Sequence, residues 1–170
     1  MPTLLSMTRV LFAVSGSDYW TLADGTRHPC GYWPEELAVP HEVFAQAGFD
    51  ITIATPGAVP PTADEAGFSA AMNGGSEEPG QRFRAYLDSI SGPLSAPTAL
   101  EDADPADYDL VFVPSRAPWL LEDRLSSSGG SFEASGAPWA AHVVVDGNLY
   151  TGQNPASSLP LATALVQALS

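Results

Sequence analysis

The chain has 170 residues, of which 45% are hydrophobic and 15% are charged, so it is long enough to fold as one domain around a sizeable core. Its formal net charge is −14 with the histidines neutral, and such a field repels phosphate backbones and anionic lipids. This composition excludes a disordered chain, and it argues against nucleic acids and membrane surfaces as partners.

The N-terminal segment, residues 1–14, has one basic residue, Arg9, before a short apolar stretch and has no small-residue cleavage site. We interpret it as a first strand and not as a secretory signal peptide. No apolar run reaches the ~18 residues that a membrane-spanning helix needs. The single cysteine, Cys30, excludes an internal disulfide and favours a reducing, cytoplasmic location.

The first third of the sequence predicts a strand–helix–strand unit. Residues 10–14 form a continuous apolar run of the kind that is buried on both faces of a parallel sheet. A helix is predicted over 34–47, and Pro40 inside it predicts a kink or a restart. Residues 50–54 follow as a second short strand. This order is a βαβ unit, in which the two strands are parallel.

Residues 57–106 differ from the rest, because Pro, Gly, Ser and acidic residues are scattered through them. Only 81–90 has apolar residues on one helical face. We predict that 57–106 is a lid-like excursion over the sheet within a single domain covering residues 1–170. The next apolar run, 109–113, predicts a third buried strand, and 118–125 predicts a short helix.

The end of the sequence predicts a hairpin and a final helix. Residues 142–145 and 149–151 flank Asp-Gly-Asn at 146–148, which is a strong hairpin signal. Asn154 and Pro155 then begin a helix that runs to about residue 169. The whole pattern predicts an α/β fold, a flavodoxin-like three-layer sandwich. Its mostly parallel sheet is expected to take its strands from 10–14, 50–54, 109–113 and the C-terminal strands.

Several stretches of the sequence also share a family resemblance. They are GYWPEELAVP at 31–40, VFAQAGF at 43–49, ADYDLVFVP at 106–114, PW at 138–139, HVVVDGNL at 142–149 and TGQNPASS at 151–158. Together they resemble the DJ-1/PfpI superfamily, in its Hsp31-like, class I glutamine amidotransferase-like branch. The resemblance covers nearly all of the chain, and it implies the fold predicted above.

The resemblance implies a cofactor-independent activity of the glyoxalase III or deglycase type. In that family a cysteine on a sharp strand-to-helix elbow, usually followed by His, attacks a small electrophile such as an aldehyde, assisted by a glutamate at an earlier helix start. Glu36 matches the glutamate, and Glu35 is the alternative one residue earlier. The elbow is missing, because residues 115–116 lead directly into 117–123, which resemble family sequence beyond the nucleophile. At ~30 residues per βαβ unit, roughly two units are absent, and the sheet is expected to be smaller than in the family.

Cys30 is not expected to replace the missing nucleophile. It lies in the loop before the Glu36 helix, where the family has no catalytic residue known to us. A helix N-terminus favours a thiolate, whereas the negative charges of Glu35 and Glu36 oppose it. Four other residues of the same long loop are candidates for lining a pocket together with Cys30, although a solvated loop explains them equally well. They are Asp18, Tyr19, Trp20 and His28.

The residues do not indicate a metal or a cofactor. His28, His41 and His142 lack the spacing of a zinc site, and the spacing of His28 and Cys30 is too tight to be typical. Ser15-Gly16-Ser17 lacks the lysine and the longer glycine spacing of a phosphate loop. We therefore predict that the protein holds neither.

Three functions stay open on the sequence. The first is a noncatalytic binding or assembly module. The second is a thiol-free enzyme of the glyoxalase III, deglycase, lyase or hydratase type, in which Glu36 transfers a proton on a small carbonyl compound. The third is an internally deleted copy of an ordinary Hsp31-like glyoxalase III or deglycase. Because the loss of central strands leaves sheet edges unpaired, we also predict a homodimer.

Overall fold

The computed structural model describes residues 7–114, 126–137 and 139–170. In chain order its strands are β1 (Arg9–Ala13), β2 (Tyr19–Thr21), β3 (Arg27–Pro29), β4 (Asp50–Thr55), β5 (Thr98–Ala99), β6 (Leu110–Phe112), β7 (Val143–Asp146) and β8 (Leu149–Gly152). Its helices are α1 (Pro34–Gln46), α2 (Glu78–Ser89), α3 (Ser91–Ser95) and α4 (Ser158–Leu169). The predicted helix at 118–125 lies outside the described residues.

A four-stranded parallel sheet, in the order β5-β4-β1-β6, forms the framework of the molecule. Strand β1 pairs in parallel with β4 on one side and with β6 on the other. Its apolar run is buried at Val10, Leu11 and Phe12 because the strand lies inside the sheet and is covered on both faces. The predicted α/β fold with a parallel sheet flanked by helices is confirmed.

An aromatic cluster joins the sheet to helix α1. The Phe12 ring of β1 lies 5.8 Å from that of Phe44 in α1 and 4.9 Å from that of Phe112 in β6, measured between ring centroids. Helix α4 packs against α1 and buries Ala162 and Leu165. These contacts fix α1 on one face of the sheet.

Helix α1 is one continuous element of 13 residues, and it passes through Pro40 without the predicted restart. Pro40 lacks a backbone N–H, so one helical hydrogen bond is lost there. Pro40 is itself buried, and its neighbours Leu37 and Phe44 are completely buried. Packing on the sheet therefore holds the helix together at this position.

Two expectations about the strands are wrong. The C-terminal strands do not join the main sheet, because β7 and β8 pair with each other in a separate antiparallel hairpin. The fourth strand of the main sheet is instead β5, which pairs in parallel with β4. Strand β5 has only two residues, too few to show a periodic pattern in the sequence.

The segment 57–106 contributes to the core as well as to the surface. It supplies the edge strand β5 and helix α2, whose Phe83 and Leu87 are buried in the main apolar cluster. The helix begins at Glu78, three residues before the predicted start at 81. A lid-like role for the rest of the segment, and a single domain spanning 1–170, stay predictions. Within the described residues, no helix has the length and apolarity required to cross a bilayer.

Candidate functional site at the start of helix α1

The order in which the strands are added to the sheet reverses at β1. The chain moves from β1 to β4 and β5 on one side, and it then returns to β6 on the other side of β1. In open α/β sheets, ligands bind outside the carboxyl ends of the strands at such a reversal. The connection that leaves the carboxyl end of β1 leads into α1, so the first turn of α1 belongs to this edge of the sheet.

Two carboxylates occupy the first turn of α1. Trp33 is the extended N-cap residue, and the backbone N–H of Glu36 donates to its carbonyl oxygen at 3.1 Å. Glu35 and Glu36 follow Pro34 directly, at the positive end of the helix dipole. The Oε2 atom of Glu36 is shielded from solvent. A shielded carboxyl group at a helix start is suited to act as a general acid or base.

Glu35 has a different environment from Glu36. It is half-buried, and burial raises the pKa of its carboxyl group, while the nearby Arg82 of helix α2 works in the opposite direction. A raised pKa follows from the loss of hydration of the charged form. Helix α2 therefore reaches the first turn of α1 and supplies a positive charge to it.

Three glycines allow other backbone segments to approach this turn closely. An added Cβ at Gly31 would overlap the carbonyl group of Thr62, and at Gly67 it would overlap the ring of Pro34. At Gly80, in the first turn of α2, it would overlap the carbonyl group of Phe68. The turn before α1, the segment 62–68 and the start of α2 are thus packed against one another where only glycine fits.

Backbone hydrogen bonds secure the same contact. The N–H of Tyr32 donates to the carbonyl oxygen of Thr62 at 2.9 Å, and the N–H of Asp64 donates to the carbonyl oxygen of Tyr32 at 2.9 Å. These pairs join residues about 30 positions apart, so local sequence reasoning does not reveal them. The sequence signal for this contact is Gly31, because a glycine allows two backbone segments to approach closely.

The predicted pocket residues lie on a β-hairpin and not in an irregular loop. Strands β2 and β3 pair antiparallel, with Trp20 opposite His28 and Tyr19 opposite Pro29. The backbone N–H of Cys30 donates to the carbonyl oxygen of Asp18 at 3.0 Å, which extends the ladder by one step. The structure therefore brings Trp20 together with His28 and Asp18 together with Cys30 across the hairpin, whereas Tyr19 lies opposite Pro29, which is not a candidate. Regular pairing satisfies the backbone groups that a loop would expose to solvent.

The exposure of these residues differs along the hairpin. Tyr19, Trp20 and Cys30 are half-buried, whereas Asp18 and His28 are exposed. The guanidinium of Arg27 lies 4.3 Å from the centre of the Tyr19 ring, a cation–π contact across the two strands. Tyr19, Trp20 and Cys30 are therefore the candidates that are partly shielded from solvent.

A further carboxylate, which the sequence did not indicate, lies at the end of β4. Both carboxylate oxygens of Glu101 accept from the backbone N–H of Gly57, at 3.0 and 3.1 Å. This hydrogen bond lowers the pKa of Glu101. Beside it, the hydroxyl of Thr55 donates to the carbonyl oxygen of Val59 at 2.7 Å. The turn after β4 is thus closed by the protein's own side chains.

Comparison with solved structures agrees with this architecture. The Rapid Encystment Protein 24 KDa of Francisella tularensis superposes with a TM-score of 0.78 at 17% identity, over 96% of this chain and 100% of that chain. Glyoxalase III from Candida albicans superposes with a TM-score of 0.71 at 18% identity, over 95% of this chain and 97% of that chain. The chain therefore has the fold of these structures, which is the DJ-1/PfpI fold that the sequence resemblance implies.

Curated sequences support the same assignment over a shorter stretch. The glutamine amidotransferase-like class 1 domain-containing protein 1 of Xenopus laevis is 45% identical over 64 residues, which are 36% of this chain and 28% of that protein. The human protein of the same name is 42% identical over 64 residues, or 29% of its length. The match thus spans less than a third of these relatives. No family model matches the chain.

Cys30 does not follow a strand of the main parallel sheet, because β3 belongs to the separate β2–β3 hairpin. It directly follows the second strand of the β2–β3 hairpin and precedes the N-cap residue of α1, Trp33, by three positions. Among the residues that the structure describes, no group of three or more His, Cys, Asp or Glu side chains is placed to hold a metal ion. At this edge the described residues include the carboxylates of the first turn of α1, and a catalytic role for Glu36 stays a prediction.

Proposed function

We propose that this DJ-1/PfpI-fold protein lacks the thiol chemistry that its family resemblance implies and acts as a cytoplasmic binding or assembly module. The observation that supports this most directly is the position of Cys30, the one cysteine of the sequence. A covalent mechanism needs a nucleophile that is aimed at the substrate and held beside a base. In the α/β hydrolases, a sharp strand-to-helix turn does this, whereas Cys30 lies at the end of a hairpin strand.

Turnover of methylglyoxal by the purified protein tests this proposal. We expect the rate to equal that of Glu36→Gln, because neither protein has an aimed thiol. Glu42→Gln is a matched control, since Glu42 is another half-buried glutamate of the same helix. A parent rate clearly above that of Glu36→Gln, with Glu42→Gln equal to the parent, would overturn the binding-module proposal.

A second candidate function is proton transfer by Glu36 on a small carbonyl or hydroxy compound. It is supported by the shielded Oε2 atom at the start of α1 and by the position of this turn at the reversal of strand order. A screen of small carbonyl and hydroxy compounds provides the substrate for the test. Activity that is unaltered in Glu36→Ala would exclude this function.

The proposed module works as a homodimer. Strand β6 lies at the end of the described sheet, and its residue Val111 is 46% exposed while the following Val113 is 59% exposed. Apolar side chains on an edge strand are commonly covered by a partner. Sedimentation at micromolar concentration should give a dimer, and Val113→Asp should shift it toward monomer. Val145→Asp, on the separate hairpin, is the control. A monomeric parent protein would contradict this assembly.

A further inference from the structure

A histidine–tyrosine pair joins helices α1 and α2 inside the protein. His41 of α1 is 7% exposed, and its Nδ1 lies 2.8 Å from the hydroxyl oxygen of Tyr86 in α2. The two rings meet edge to face with centroids 5.8 Å apart, and the Phe12 ring lies 5.5 Å from His41 on the other side. The buried imidazole therefore contacts two aromatic rings, and the Tyr86 hydroxyl is the polar group that α2 supplies to it.

Helix α2 lies alongside α1 and contacts it from the first turn of α1 to the middle of α1. Near the start of α2, Arg82 acts on Glu35, and one turn later Tyr86 meets His41. The close contact of Gly80 with Phe68 sets the position of the same end of α2. Separation of α2 from α1 would therefore hydrate His41 and also uncover the first turn of α1.

The charged groups around His41 give little support to a positive imidazolium. Helix α4, which packs on α1, has no charged side chain between residues 158 and 169. Strand β1 contributes Phe12, and the turn at 65–68 contributes Glu65, which pairs with Arg84 at 2.7 Å. Burial, together with the charge of Glu42 on α1, raises the pKa of Tyr86 on α2 to about 12, so the tyrosine stays neutral.

We propose that the α1–α2 interface is an acid-sensitive junction, in which protonation of His41 releases α2 and uncovers the first turn of α1. A buried imidazolium without a carboxylate partner is costly, and the cost is relieved when water reaches the ring. Tyr86 covers His41 from α2, so hydration requires α2 to move. This regulation does not depend on whether Glu36 is catalytic.

The direction of the pH effect follows from linkage. Burial lowers the pKa of His41 to about 4, from an ordinary value of 6.5. The open form takes up the proton below 6.5 and the closed form does not, so opening increases up to about tenfold per pH unit in that window. Glu35 has the opposite sign, because its raised pKa lets the closed junction bind a proton more readily.

Hydrogen exchange of the α2 amides, expressed as protection factors between pH 7 and pH 5, tests the proposal. We expect protection of α2 to be lower than that of β1 at every pH, and to fall up to about tenfold per unit below pH 6.5. In His41→Phe the α2 protection should no longer fall over this range. His28→Gln, a change at an exposed histidine of β3, should behave like the parent.

Three results would contradict the proposal of an acid-sensitive junction. They are constant α2 protection in the parent, the same decline in His41→Phe, and α2 amides that exchange only together with β1 in global unfolding. Should His41→Phe fail to fold, Tyr86→Phe keeps the titrating ring and should still show the decline. NMR titration of the parent must also place the pKa of His41 well below 6.5, and an ordinary value would exclude the mechanism.

Discussion

The hydroxyl of Ser157 bonds both backbone groups of His142. It accepts the N–H of His142 at 3.1 Å and donates to the carbonyl oxygen of the same residue at 3.1 Å. Ser157 is almost completely buried, just before α4, and His142 lies just before β7. The C-terminal motif therefore fastens the β7–β8 hairpin to the helix that packs on α1.

The first prediction concerns Ser157→Ala. This change removes the acceptor of the His142 N–H in a buried place, and an unsatisfied buried group costs about 1–3 kcal/mol. The free energy of unfolding, measured in urea, should fall by that amount. Ser131→Ala, at an exposed serine, should stay within about 0.5 kcal/mol of the parent. Equal stability of the two variants would show that the Ser157 bonds contribute nothing net.

The second prediction compares two glycines that lie in helices, Gly80 in α2 and Gly92 in α3. Gly80→Ala places a methyl group against the Phe68 carbonyl, whereas Gly92→Ala in α3 meets no atom within 4 Å. Gly80→Ala should lower stability by about 1–3 kcal/mol, the usual cost of overpacking. Gly92→Ala should be neutral or slightly stabilising, because alanine restricts the unfolded chain. Thermal unfolding of both proteins decides this, and a tolerated Gly80→Ala would disprove the tight contact.

The main strands were predictable because each has a strong local pattern. Residues 10–14 and 50–54 nearly coincide with β1 and β4, and the Asp-Gly-Asn signal marks the β7–β8 turn. The same signal does not predict which sheet the hairpin joins, since a local pattern shows that two strands pair but not where the pair packs. Asp24-Gly25 offered a similar signal for the β2–β3 hairpin, flanked by the strands YWT and RHP.

The candidate site was predictable in part for the same reason. Glu36 lies in the first turn of α1, as the helix signals at Pro34 indicate. The partners of this turn come from distant segments, such as Arg82 on α2 and Thr62 before it. Contacts over such separations depend on the packing of whole elements, which no local pattern in one sequence records.

The third prediction is a loss of global stability in mild acid. The pKa of His41 is about 4 in the folded protein and 6.5 when the ring is hydrated. In the unfolded chain His41 therefore becomes protonated below pH 6.5, whereas in the folded protein it stays neutral down to about pH 4. This contribution is complete above pH 6.5, and up to about 3 kcal/mol is lost as the pH falls to 4.

Urea unfolding at several pH values between 7 and 5 measures this loss. The window avoids Glu101 and Asp24, whose pKa values are lowered by hydrogen bonds to the backbone of Gly57 and Thr26, so that their contributions disappear only at lower pH. His41→Phe should remove this decline in stability between pH 7 and pH 5. A parent profile that is already flat from pH 7 to 5 would show that His41 is not buried in its neutral form.

The fourth prediction concerns Cys30. It follows a strand of the separate β2–β3 hairpin, and this position lacks an elbow of the main sheet that would aim the sulfur at a substrate. Cys30→Ser should therefore leave the fold intact and should keep any measured activity within a few-fold of the parent. Circular dichroism and turnover of the same sample give both readings. Complete loss of turnover in a folded Cys30→Ser protein would instead establish covalent catalysis at a relocated site, and Glu36→Gln would then show whether the carboxylate serves that thiol.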